Sequence, residues 1–198
     1  MDFLLSLDTK LFLAINGWHS EAFDGIMLWI SGKTTWWPLY LAILLYLSWY
    51  RKWQTVVIVL FIALCITLTD QVSVHLFKET IMRLRPCHNP DLMDAVHLVN
   101  GKCGGRYGFV SSHAANSFGI AMLLSLIVRR WWFTLVLMSW AGLVGYSRIY
   151  LGVHYPGDVL GGAALGLLIG YLVYLLFRWI IPKLPKNWNM YHEVVPGI

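Results

Sequence analysis

The sequence predicts an all-α integral membrane helical bundle, with about five transmembrane helices and an N-terminal helix lying on the bilayer surface. Three observations carry that expectation. Of 198 residues, 58% are hydrophobic and 13% charged, roughly half the ~25% charged share of a soluble domain. Several apolar stretches approach or exceed the ~20 residues needed to cross ~30 Å of hydrocarbon at ~1.5 Å per residue. Between them the chain places short links rich in arginine and lysine, the flanks expected of membrane spans.

Residues 3–16 set Leu4, Leu7, Leu11 and Ile15 at helical spacing, with Asp8 and Lys10 interleaved. That pattern suits an amphipathic helix in the interface better than a span. Residues 1–7 carry Asp2 and no basic leader region, so no cleavable signal is expected. The stretch 34–50 is just long enough to cross, after a Ser31-Gly32-Lys33 break. Residues 54–77, 112–128, 131–150 and 156–181 are clear spans. Tryptophans 36, 37, 49, 53, 131, 132 and 179 fall near span ends and read as an interfacial belt. Gly162, Gly166 and Gly170 recur every fourth residue along the last span, as a close-packing helix face does. Neither a 20–50-residue repeat nor a domain boundary is visible, so 1–198 reads as a single domain.

The net charge of +5 is explained by cations flanking spans, without nucleic acid as a partner. If the spans alternate, Arg51, Lys52, Arg129, Arg130, Arg178, Lys183 and Lys186 share one face. The positive-inside rule makes that face cytoplasmic and puts the N-terminus, residues 78–111 and the turn 148–155 on the other side. Lys78, Arg83, Arg85, Lys102, Arg106 and Arg148 then lie where the orientation rule would not put them, and need another reason. The long connection 86–110 contains Cys87 and Cys103. Outside an inner membrane these can form a disulfide worth about 3 kcal/mol in the chain-entropy model; the alternative is two free thiols. Three cysteines are too few for a disulfide-built scaffold, and Cys65, within a span, is a small apolar filler.

Ionisable groups near bilayer depth must pair, line a wet cavity or do chemistry. Lys78 and Arg85 lie seven residues apart, on one face if the helix continues to Pro86, and together would clamp an anion. Ser111 or Ser112 can cap the helix starting there, whose N-terminus attracts phosphate, with His113 in its first turn. His154 and Asp158 lie one turn apart. A carboxylate accepting one ring N–H leaves the other nitrogen as a lone pair, a nucleophile in its own right. Arg148 adds a third cation. Singly, each has a bland reading: an interfacial anchor, a cap, a structural hydrogen bond. Jointly, three cations, two histidines and a carboxylate meet at one membrane face from three separate span ends, which points to function.

The pattern Lys-x6-Arg-Pro (Lys78 to Pro86), Ser-x-His (Ser111 to His113) and Ser-Arg-x5-His-x3-Asp (Ser147 to Asp158) resembles the three signature motifs of the type 2 phosphatidic acid phosphatase superfamily of membrane lipid phosphatases. The motif-bearing core is 78–158. One departure is that Val110 and Ser112 stand where the family's second motif usually has Pro and Gly. The resemblance implies that His154 attacks phosphorus and forms a phosphohistidine, that Asp158 orients it, and that His113 protonates the leaving oxygen. Lys78, Arg85, Arg148 and the N–H groups around Ser111 and Ser112 would bind phosphate, with no metal and no other cofactor. The expected substrate is a lipid phosphate, handled at the outer face of a bacterial inner membrane. Undecaprenyl diphosphate leads, because that carrier is released on the same face; phosphatidylglycerophosphate, phosphatidate and lipid A phosphate are the alternatives. The related vanadium haloperoxidases are soluble, which this composition is not. An anion or lipid transporter would use the cations but has no need of an oriented nucleophile.

Overall fold

In the computed structural model, which describes residues 2–183, the chain is mainly helical, and among these residues no strand forms beyond one isolated bridge. Lys186 and the Trp53 side chain lie outside the described part. Helix α1 (Asp2–Gly17) and the shorter α2 (Glu21–Ser31) precede α3 (Trp37–Arg51). Next, α4 (Thr55–Gln71) runs through a π-helical segment (Val72–Lys78) into α5 (Glu79–Ile81). After the long loop come α6 (Ser112–Val128), α7 (Trp131–Tyr150) and α8 (Pro156–Ile180).

Two continuous runs, Thr55–Ile81 and Pro156–Lys183, are long and apolar enough by themselves to cross a membrane. The other candidate spans are weaker for identifiable reasons. With 15 residues, α3 is about 22 Å long. Helix α6 is apolar but has 17 residues, and α7, with 20, is diluted by Thr134, Ser139, Ser147 and Arg148. The sequence also gives no hint of α2, because 18–33 holds no apolar run of span length.

The bundle centres on α6, which packs along α8, α7 and α4. Its tightest seam is with α8. A Cβ at Gly162, Gly166 or Gly170 would lie 2.4, 2.3 or 2.5 Å from the carbonyl of Ser111, Ala115 or Gly119, so the two backbones approach as only small residues allow. Across the seam, Leu123, Leu124 and Ile127 of α6 join Ile58 and Phe61 of α4, Leu137 and Ala141 of α7 and Val173 and Phe177 of α8 in one buried cluster. The outward faces are the reverse of a soluble protein's: Leu45, Val56, Leu60, Leu160 and Leu172 are all exposed. Trp37, Trp49, Trp131, Trp132 and Trp179 are exposed as well, whereas Trp36 turns inward and donates its indole N–H to the Ile30 carbonyl (2.8 Å). In α1, Leu4, Leu7 and Leu11 stay exposed while Phe12 and Asn16 are buried, so the helix lies against the bundle with its apolar stripe outward.

Candidate active site

The cations arrive from three places. At the end of the π-helical segment, Lys78 Nζ donates to Ser112 Oγ (2.6 Å), and the Ser73 hydroxyl lies 2.7 Å from the same oxygen. The helix does not continue to Arg85, which corrects the expectation that Lys78 and Arg85 share a helical face. It stops at Ile81, and Met82 adopts a left-handed conformation (φ 49°). Pro86 holds Arg85 extended (φ −68°, ψ 155°), as steric conflict with the proline ring requires. Residues 83–85 instead pair antiparallel with 106–108. The Arg85 N–H donates to the Arg106 carbonyl (3.2 Å) and the Gly108 N–H to the Arg83 carbonyl (2.9 Å). Arg85 is thereby buried, its guanidinium donating to the carbonyls of Tyr107 (3.3 Å) and Cys103 (3.2 Å). Cys87 and Cys103 are joined in a disulfide, Cα atoms 5.9 Å apart, closing the loop behind it.

At the start of α6, Ser111 occupies the N-cap position, but its side chain makes no cap hydrogen bond. The expected serine cap is thus absent: Ser112 Oγ is taken up by Lys78 and Ser73. The Ser111 N–H donates to the Asp158 carbonyl (2.9 Å), and its hydroxyl is buried without a partner among the described residues. His113 follows in the first turn. The third source is the end of α7, where Arg148 donates to the Ser31 hydroxyl while its Nε is buried and unpaired among the described residues.

His154 lies in the α7–α8 turn and Asp158 in the first turn of α8; both are almost fully buried. The carboxylate accepts the Tyr155 N–H at Oδ2 (3.0 Å), and the same oxygen is 3.4 Å from His154 Nδ1. That second distance is long for a hydrogen bond, and the Gly108 backbone provides the ring with a further partner. A Cβ at Gly108 would meet Asp158 Oδ2 at 2.9 Å and Arg85 Cγ at 3.1 Å, so the loop can lie over this pair only because position 108 has no side chain. Burial, followed by the charges of Arg85, Arg148 and Lys78, holds the His154 imidazolium well below its ordinary range. The ring is neutral at pH 7. The charges of Arg148 and Arg85 also reach His113. The residues expected to converge, 78, 85, 113, 148, 154 and 158, therefore share one electrostatic neighbourhood, an arrangement able to hold a tetrahedral oxyanion against a neutral imidazole.

Four neighbours escaped the sequence reading. Arg83 Nη1 donates to Asp158 Oδ1 (2.9 Å), although Arg83 stood out only as a cation on an unexpected face. Gly108 was one of several loop glycines. Ser31 and Lys33, the latter acting electrostatically on His113, belong to a stretch that read as a break between elements. His75, which suits an interior hydrogen bond, is exposed and pairs with Glu79 (3.0 Å).

Fold and site together define a helical-bundle protein in which Lys78, Arg85, Arg148, His154 and Asp158 are gathered at one end. Residues 55–182 match the PAP2 superfamily, and the chain belongs to that superfamily. Among its relatives, a lipid A 4′-phosphatase of Bacteroides thetaiotaomicron is 40% identical over 190 residues, covering 94% of this chain and 84% of the relative. An undecaprenyl-diphosphatase of Sulfolobus acidocaldarius is 29% identical over 170 residues, covering 85% of this chain and 77% of the relative. The crystal structure of the transmembrane PAP2-type phosphatidylglycerolphosphate phosphatase from Bacillus subtilis superimposes with a TM-score of 0.67 at 26% identity, covering 94% of this chain and 90% of that one.

Proposed function

We propose that the chain is a single-domain membrane lipid phosphatase that removes a terminal phosphate by way of a phosphohistidine on His154. The observation that carries this reading is the buried, neutral His154 ring among Arg85, Arg148 and Lys78, since a transporter gains nothing from an oriented nucleophile. His154 Nε2 donates its lone pair to phosphorus as the bond to the lipid oxygen breaks, and His113 gives that oxygen a proton. Asp158, whose Oδ2 lies 3.4 Å from Nδ1, holds the ring through its other nitrogen. Lys78, Arg85, Arg148 and the N–H groups at the start of α6 stabilise the equatorial oxygens. Water then attacks phosphorus, passes its proton to His113 and releases phosphate, restoring His154. The positive charge comes from side chains, so the reaction is expected to run with chelator present.

We read the substrate as lipid A bearing a 4′-phosphate, on the strength of the 40% identity over nearly the whole chain. The relation to an undecaprenyl-diphosphatase favours undecaprenyl diphosphate as a second reading. In a bacterial inner membrane, α3, α4–α5, α6, α7 and α8 would make five crossings with α1 in the interface and the pocket outside. The test is phosphate release in detergent, with EDTA, across lipid A, undecaprenyl diphosphate, phosphatidylglycerophosphate and phosphatidate. Preferred turnover of lipid A with loss of the 4′-phosphate supports the reading. Preference for another lipid overturns the substrate assignment, and dependence on added divalent metal overturns the mechanism.

A further inference from the structure

Helix α1 meets the site along a single stripe. Asp8, Phe12 and Asn16 recur every fourth residue, on one helical face, and each touches the 150–157 segment. Asn16 donates its amide to the Tyr150 carbonyl (2.7 Å). Phe12 packs edge-on against Tyr155, ring centroids 5.4 Å apart. Asp8 reaches furthest: Oδ1 accepts the Gly157 N–H (2.7 Å) and Oδ2 accepts from Arg83 Nη2 (2.7 Å). The other end of the same guanidinium donates to Asp158 Oδ1 (2.9 Å), and its Cζ lies 4.0 Å from the centroid of the Tyr155 ring. Asp158 Oδ2 in turn faces His154 Nδ1. A polar chain thus runs from the first helix to the imidazole, Asp8, Arg83, Asp158, His154, its last link the longer 3.4 Å contact.

We propose that Asp8 and Arg83 are positioning residues for phosphate transfer, holding the Asp158 carboxylate, and through it the His154 ring, in the in-line orientation. This rests on the reading of His154 as nucleophile. Asp158 is fully buried, with Arg83 on one oxygen and the Tyr155 N–H on the other. Without Arg83, Oδ1 is left bare in a low-dielectric setting beside Arg85, whose charge also acts on it, and the carboxylate is free to turn toward that cation and away from the imidazole. Without the Asp8 charge, Arg83 loses the second of its two anchors. A guanidinium bridging two carboxylates, one nitrogen on each, fixes angle as well as distance, which a lysine ammonium does not. Neither residue contacts the reacting atoms, so their effect falls on kcat rather than on substrate binding.

The test compares Asp8→Asn, Asp8→Glu, Arg83→Met, the Asp8→Asn/Arg83→Met double variant and His154→Ala, each purified in detergent and checked for folding by thermal unfolding. Asp8→Asn is nearly isosteric and keeps an acceptor for Gly157, so it tests the idea even if Arg83→Met fails to fold. The expected results are a kcat fall of about tenfold for Asp8→Asn and about a hundredfold for Arg83→Met, with KM within about twofold. Asp8→Glu should recover part of the Asp8→Asn loss, and the double variant should be no slower than Arg83→Met alone. Wild-type kcat in both single variants while His154→Ala is dead overturns this proposal and leaves the nucleophile intact. Strictly additive losses, or losses in KM alone, also overturn it. Turnover by His154→Ala overturns the nucleophile reading and the positioning chain with it.

Discussion

Gly108→Ala is the sharpest test of how the loop and the helices build one pocket. The added methyl would sit 2.9 Å from Asp158 Oδ2, 3.1 Å from Arg85 Cγ and 3.5 Å from His154 Nδ1. Ordinary van der Waals contact begins near 3.4 Å, so relief requires a shift of about 0.5 Å. None of the three neighbours yields readily. Arg85 is tied to two carbonyls, the carboxylate to Arg83 and the Tyr155 N–H, and the ring is enclosed. Since a 1 Å misplacement at a reacting centre costs roughly a hundredfold in rate, half that distance should cost about tenfold. Gly105→Ala is the control, because a Cβ there meets nothing within 4 Å. Phosphate release from a lipid phosphate, read against thermal unfolding of each variant, separates rate from stability. Full activity in Gly108→Ala would refute the claim that this loop closes directly over the His154–Asp158 pair.

Two further outcomes follow from the geometry. Because burial and three cations depress the His154 pKa in the folded state, the unfolded chain takes up a proton below pH ~6.5 that the folded chain refuses. Stability should therefore decline as pH falls through that value, by up to about 1.4 kcal/mol per pH unit from this group. His154→Asn should become progressively more stable than wild type in thermal melts from pH 7.5 to 5, and parallel profiles would contradict the assignment. Replacing Cys87 or Cys103 by Ser opens a loop with a sequence separation of 16 and should lower stability by about 3 kcal/mol, seen as a lower Tm that reductant no longer changes. An unchanged Tm would count against the loop's role in holding Arg85.

Much of the site was legible because charge in an apolar chain is conspicuous. Lys78, Arg85, Arg148, His154 and Asp158 stand out in a sequence where each ionisable group at bilayer depth needs a reason, and their short spacings within motifs are local information. The glycine seam of α8 was legible for the same cause, a period of four on one helix. What stayed hidden depends on contacts made across the chain. Asp8 and Arg83 are 75 residues apart, as are Arg83 and Asp158; Asp8 read as one polar residue in an amphipathic helix until its face was known. Pro86 restricts only Arg85, so nothing local revealed that the helix would end at Ile81 and that 83–85 would pair with 106–108. Helix α2, which supplies Ser31 to Arg148, is too short and too mixed to register as a span.

The most direct measurement of the central claim is where phosphorus resides during turnover. Enzyme mixed with lipid phosphate, quenched in alkali within milliseconds and digested, should yield a phosphorylated peptide containing His154, labile to acid and absent when His154 is replaced by Ala. Phosphate carried by any other residue, or turnover without any such adduct at the shortest quench times, would contradict the account.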